Sequence, residues 1–171
     1  MRYTFLGTGT SQGVPIIGCH CPVCRSDDTK DKRLRSSLLV ESDTTKVGID
    51  IGPDFRYQML RNNIDQLDAI VITHEHNDHV AGLDEVRALN FIQQKPMTIY
   101  CTESVQAALR KMFYYIFENS AYPGVPKITF KTIGRAPFKV GDITFQPDPV
   151  NAWRHAGARF SHGGFHLHYR C

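Results

Sequence analysis

The chain has 171 residues, 42% of them hydrophobic, which is enough for one domain with its own core and well above the size that needs disulfides to fold. Its 20 basic and 17 acidic residues leave a formal charge of +3 spread along the sequence, so composition argues against a nucleic-acid or membrane surface. No apolar run approaches the roughly 20 residues of a membrane span, and the N-terminal MRYTFLGTGT reaches glycines too soon for a signal peptide; the expectation is a soluble, cytoplasmic protein.

In chain order, Tyr3 to Leu6 reads as a strand ending at Gly7-Thr8-Gly9-Thr10, and a long loop then carries Cys19, Cys21, Cys24 and the charged stretch from Arg25 to Arg35. Ser37 to Glu41 and Lys46 to Asp50 form a predicted hairpin across Ser42-Asp43-Thr44. Phe55 to Asn62 has the apolar spacing of an amphipathic helix, and Ala69-Ile70-Val71-Ile72 is a continuous apolar run of the kind found in buried strands. A helix through Leu83, Val86 and Leu89, a strand at Thr98 to Cys101 and a helix over Ser104 to Phe117 follow. Beyond Pro123 and Pro126, strands are predicted at Lys127 to Thr132, Phe138 to Val140 and Ile143 to Gln146. This order fits a mixed α/β sandwich (α+β).

The chemistry is concentrated in His74-Glu75-His76-Asn77-Asp78-His79, directly after the apolar run. A buried strand turning tightly into a helix can point His74, His76, Asp78 and His79 into one cleft, leaving Glu75 and Asn77 as alternating non-ligands. Imidazole and carboxylate suit Zn²⁺, Mn²⁺ or Fe²⁺, and two such ions polarise a phosphoryl or carbonyl oxygen and lower the pKa of a bound water to about 7. Three of the five cysteines crowd into Cys19-x-Cys21-x-x-Cys24, a partial thiolate site that needs a fourth ligand and fits a reducing compartment. His20 is a weak choice for that ligand, because a neighbour of two ligands seldom points the same way.

The pattern His74-x-His76-x-Asp78-His79, with Ile49-Asp50-Ile51-Gly52 upstream, resembles the metallo-β-lactamase superfamily. The resemblance implies that His74 and His76 bind one metal, that Asp78 and His79 bind a second, and that Asp50 supports the ligand loop. It also implies that Asp78 steers the leaving group's proton. The N-terminal run from Gly7 to Pro15, the cysteine cluster and Arg33-x-Arg35-x-Ser37 resemble the cyclic-phosphate phosphodiesterases of the carbon-phosphorus lyase pathway. That likeness implies an incomplete four-layer αββα sandwich, two divalent ions (Zn or Mn) and one structural Zn whose fourth ligand is a distant C-terminal histidine. The implied partner is a small phosphate-ester substrate, with no membrane or nucleic acid, and a homodimer is allowed. Arg33 and Arg35 are candidates for pairing with substrate phosphate, since guanidinium matches that geometry, although a solvated basic face is an equal alternative. A transfer RNA 3′-processing nuclease and a catalytically inactive zinc-binding remnant are the alternative functions.

The family pattern requires further histidine and aspartate ligands after the last predicted strand. Residues 151–171 hold no Asp, Glu or Lys but carry His155, His162, His166 and His168, four of the eight histidines. Back-translating Asn151-Ala152-Trp153-Arg154 one base out of frame permits Met-His-Gly-Asp, and the shifted reading later permits Tyr-Ile-Thr-Asp. The expectation is therefore one domain over residues 1–150 followed by an out-of-frame tail after Val150. The alternative is a rebuilt site that uses the tail histidines themselves.

Overall fold

The computed structural model describes residues 1–118, 122, 124–148, 157–162 and 165–170, with Asp148 and the last two ranges described by backbone alone. Six strands form the larger sheet, in the order β1 (Arg2–Gly7), β2 (Ser37–Glu41), β3 (Lys46–Ile49), β4 (Ala69–Val71), β5 (Met97–Cys101) and β6 (Ile128–Thr132). The pairs β1/β2 and β2/β3 are antiparallel, as a short hairpin connection allows, whereas β3, β4, β5 and β6 are parallel neighbours joined by helical crossovers. The second sheet pairs β7 (Phe138–Val140), β8 (Ile143–Asp148), β9 (Gly157–His162) and β10 (Phe165–Arg170) in antiparallel order.

Side-chain alternation along the strands divides the core in two. Leu38, Val40, Val47, Ile49, Ala69, Val71 and Tyr100 face the second sheet, where they meet Val140, Ile143 and Phe145. Leu39, Ile70, Ile72, Ile99 and Cys101 face the other way, toward the helices. The helical layer comprises α2 (Phe55–Arg61), α3 (Asn77–Val80), α4 (Val86–Gln93), α5 (Glu103–Met112) and α6 (Tyr114–Phe117); α1 (Pro22–Arg25) lies in the long loop, outside it. Phe55, Met59, Val80, Leu83, Val86, Leu89, Val105, Leu109 and Ile116 bury its inner side. These are three of the four layers of an αββα sandwich, and no second helical layer occurs among the described residues.

The predicted strands and the Phe55 helix appear with shifts of a residue or two. The single helix expected over Ser104 to Phe117 divides at Phe113, whose φ of −115° and ψ of 43° leave helical geometry. The break turns Phe117 onto Phe130, with ring centroids 5.3 Å apart, so aromatic packing overrides helical continuity. The predicted helix at Leu83 begins as a 3-10 turn over Ala81–Glu85 before α4. The expected break after Val150 falls in residues 149–156, and the side chains of His155, His162, His166 and His168 likewise lie outside the described residues. No helix among the described residues is long and apolar enough to cross a membrane.

Candidate metal centre

The histidine motif sits at the carboxyl ends of β3 and β4, two adjacent parallel strands, where open α/β sheets commonly bind ligands. After β3, Asp50 takes a left-handed conformation, φ 58°, and is fully buried. Its main-chain N–H still pairs with the Val71 carbonyl at 3.0 Å, so the departure from the strand turns its carboxylate toward the loop after β4. There Asp50 Oδ1 accepts from the Thr73 N–H at 2.9 Å, and Oδ2 accepts from Thr73 Oγ1 at 2.8 Å. Asp50 Oδ2 also lies 2.9 Å from His79 Nδ1.

A carboxylate acceptor assigns the His79 proton to Nδ1 and leaves the Nε2 lone pair facing Asp78, whose Oδ2 is 3.1 Å away. At that distance the two need a positive charge between them, supplied either by a proton on Nε2 or by a metal cation. Two ligands sharing one ion at bond lengths of roughly 2.1 Å lie about 3.0 to 3.4 Å apart, so the pair fits a divalent metal. His74 is oriented at one remove, because its Nδ1 lies 3.0 Å from Thr73 Oγ1, which itself donates to Asp50. One buried carboxylate thus fixes His79 directly and His74 through a hydroxyl.

The three rings converge. His74 lies 4.1 Å from His79 and 4.6 Å from His76, centroid to centroid. Burial holds the His74 imidazole below its ordinary value, and the neighbouring His79 and His76 act in the same direction against the opposing pull of Asp50 and Asp78. The neutral form that a metal requires is therefore the favoured one. Among the described residues the motif does not gather three donor atoms within 4.8 Å of one another.

The cysteine loop does gather three, because the thiols of Cys19, Cys21 and Cys24 lie within 4.8 Å of one another. Sulfurs on a tetrahedral zinc with bonds of roughly 2.3 Å lie about 3.8 Å apart, so the triad fits that ion. The Cys24 N–H donates to Cys21 Sγ and the Ile16 N–H to Cys24 Sγ, both at 3.5 Å. The Cys24 N–H, followed by the Cys19 and Cys24 thiols, draws the Cys21 thiol below its ordinary value. For Cys24, the Ile16 N–H pulls down, but the adjoining Cys19, desolvation and Cys21 outweigh it and the thiol is raised. His20 contributes no donor atom to the group.

Residues 45–169, more than half of the chain, match the model of the β-lactamase superfamily domain. The chain belongs to the β-lactamase superfamily and has the metallo-β-lactamase fold. The crystal structure of a new diphosphatase from the PhnP family superposes with a TM-score of 0.82 at 39% identity, covering 93% of this chain and 62% of that one. Zn²⁺-bound PqqB from Methylobacterium extorquens superposes with a TM-score of 0.78 at 25% identity, over 99% of this chain and 62% of that one. An octanoyltransferase of Porphyromonas gingivalis is 45% identical over 149 residues, which is 86% of this chain and 30% of that protein. The chain thus spans less than two thirds of the length of each of these relatives.

Within this metallo-β-lactamase-fold chain, the structure brings His74, His76, Asp78, His79 and Asp50 together at one sheet edge, and Cys19, Cys21 and Cys24 in the loop between β1 and β2. Arg33 and Arg35 do not share a site. The Arg33 side chain is exposed and its backbone pairs with Val14, whereas the Arg35 guanidinium is held by Asp54 and by the Ser11 carbonyl. Sequence reasoning assigned no role to Thr73, Gly52 or Gly82. A Cβ on Gly52 would overlap the Asp78 carbonyl oxygen, and one on Gly82 would overlap the Gly52 carbonyl, so both let the ligand turn press against the segment after β3. The glycine after Asp50-Ile51 is the only local signal that could have revealed this.

Proposed function

We propose that the histidine motif is the catalytic half-site of a metal-dependent phosphodiesterase acting on a cyclic or diester phosphate. The observation that carries the reading is the placing of His74, His76, Asp78 and His79 on one turn, with His79 oriented by the buried Asp50 and its Nε2 3.1 Å from Asp78 Oδ2. In this reading His74 and His76 hold one divalent ion, and Asp78 and His79 hold a second, zinc or manganese. Such ions supply Lewis acidity toward the phosphoryl oxygens and an activated water. Asp50 keeps His79 in the ligating tautomer, Thr73 does the same for His74, and Asp78, partly exposed at the mouth of the turn, guides the leaving oxygen's proton. The cysteine triad holds a structural zinc that fixes the loop before β2. The likeness to a PhnP-family diphosphatase supports a small phosphate ester over a polynucleotide, as does the balanced charge.

Metal analysis combined with hydrolysis of bis(p-nitrophenyl) phosphate tests this. The expected result is two ions at the histidine motif and one at the cysteines, with turnover lost in His76→Ala. A single thiolate-bound ion without turnover refutes the enzyme reading for this chain in favour of a zinc-binding remnant. Preferential cleavage at transfer RNA 3′ ends refutes the small-ester reading and supports the nuclease.

A further inference from the structure

Arg35 is gripped at four points by two segments, one of which, from Asp54 to Gln58, follows the turn that meets the metal loop. Its main-chain N–H donates to Asp54 Oδ2 at 2.9 Å, and Nη1 donates to both Asp54 oxygens at 3.1 Å. Its carbonyl accepts from Gln58 Nε2 at 2.9 Å, and its Nε donates to the Ser11 carbonyl at 2.8 Å. Asp54 and Gln58 stand one turn apart on the same face at the start of α2. Asp54 is the N-cap residue of that helix but makes no side-chain cap hydrogen bond. The carboxylate is committed instead to an arginine 19 positions earlier. The ion pair is partly withdrawn from solvent, with side chains 29% and 19% exposed, so it is less screened than a surface pair.

Arg35 itself has little room to move. Beside it, a Cβ on Gly7 would overlap the Arg35 carbonyl, and Gly9 forms an isolated bridge with Arg35. On the other side of the clamp, Asp54 is two residues from Gly52, whose missing side chain is what allows contact with the Asp78 carbonyl. In the same segment the Ile51 N–H donates to the His79 carbonyl at 2.8 Å, and the Phe55 N–H closes the turn onto the Gly52 carbonyl at 3.1 Å. The turn from Gly52 to Asp54 therefore has two anchors, the ligand helix α3 at one end and Arg35 at the other.

We propose that Arg35 is a positioning residue for the histidine metal site, acting through Asp54 to hold the turn that seats Asp78 and His79. The inference rests on the reading of that motif as a metal site. It replaces substrate recognition as the role of Arg35, because Asp54 already neutralises the guanidinium and takes Nη1, and the Ser11 carbonyl takes Nε.

The test is Mn²⁺ titration followed by electron paramagnetic resonance, since a hard ion reports the histidine and carboxylate site and not the thiolate triad. Loss of a supporting partner typically weakens metal affinity 10- to 100-fold, and Arg35→Ala is expected at the lower end, about tenfold, because it acts one contact removed. Arg35→Lys, which retains the charge opposite Asp54, is expected to recover most of that loss. Arg2→Ala breaks a comparable ion pair with Glu41 at the far end of β1 and is expected to bind Mn²⁺ as the wild type does. Wild-type affinity in Arg35→Ala overturns the proposal, and so does an equal loss in Arg2→Ala. A raised KM for bis(p-nitrophenyl) phosphate at saturating Mn²⁺ with unchanged Mn²⁺ affinity also overturns it, in favour of substrate binding. Should Arg35→Ala fail to fold, Asp54→Asn carries the same expectation and the same refutation. A wild-type chain that takes up no Mn²⁺ refutes the metal-site reading itself, a result separate from an unaffected Arg35→Ala.

Discussion

Replacing Asp50 with Asn removes the charge at the centre of the ligand loop while keeping its shape. In the native protein the buried carboxylate accepts from the Thr73 N–H, from Thr73 Oγ1 and from His79 Nδ1, all within 2.9 Å. Oδ1 also lies 2.9 Å from Thr73 Oγ1, so an amide oxygen placed there keeps both Thr73 bonds, while the NH₂ group faces the His79 Nδ1 proton and that bond is lost. A hydrogen bond to a charged group contributes about 1.5 to 3 kcal/mol, so losing the one from His79 costs an amount of that order in the metal-free protein. That is an appreciable part of the roughly 5 to 15 kcal/mol of a typical domain. His79 can accept the amide's proton only by moving its own to Nε2, which removes the lone pair aimed at Asp78, and Mn²⁺ affinity should fall about 10- to 100-fold. The left-handed φ of 58° is tolerated by Asn, so Asp50→Ala should be worse by roughly 1 to 2 kcal/mol. Urea denaturation without metal and Mn²⁺ titration measure the two effects. If Asp50→Asn unfolds within about 1 kcal/mol of wild type and binds Mn²⁺ equally well, the account of Asp50 as the organiser of the loop is wrong.

Gly52→Ala places a methyl group against the Asp78 carbonyl, so it should weaken Mn²⁺ binding and lower the melting temperature, whereas Gly134→Ala, with open space around it, should change neither. Burial lifts the Cys101 thiol to about 12, so at pH 8 only about one in 10,000 is thiolate; mass spectrometry after brief iodoacetamide treatment should find label on the metal-free cysteine triad and none on Cys101, and prior Zn²⁺ loading should protect the triad. Hydrogen bonds from Ser42 and Thr45 hold Asp142 near 2 against its usual 3.8. Its contribution to stability is therefore complete above about pH 3.8 and disappears as pH falls through about 2, and Asp142→Asn should flatten the acid limb of a stability profile over that window. We further propose that residues 151–171 are read out of frame after a one-base insertion following the Val150 codon; sequencing the gene should find the His-Gly-Asp continuation in the shifted frame, and its absence from every frame disproves the insertion.

The sequence by itself determined the elements whose signal lies within a few residues. The unbroken apolar run at Ala69 to Ile72 declared a strand buried on both faces, and four ligand-type side chains within six positions declared the metal loop that follows it. Which of the apolar Leu38, Leu39 and Val40 meet the second sheet and which meet the helices came from the packing. Only the tertiary structure decided how the loop is held. Asp50 meets Thr73 and His79 across 23 and 29 positions, and Arg35 meets Asp54 across 19. Such contacts depend on strand register and on where a chain leaves its sheet, and neither is encoded by local periodicity. A guanidinium two residues before a strand looks the same in sequence whether it awaits a phosphate or grips a carboxylate. Packing distinguishes the two, because a carboxylate already fixed within hydrogen-bonding reach neutralises the charge and takes up Nη1 before any substrate arrives.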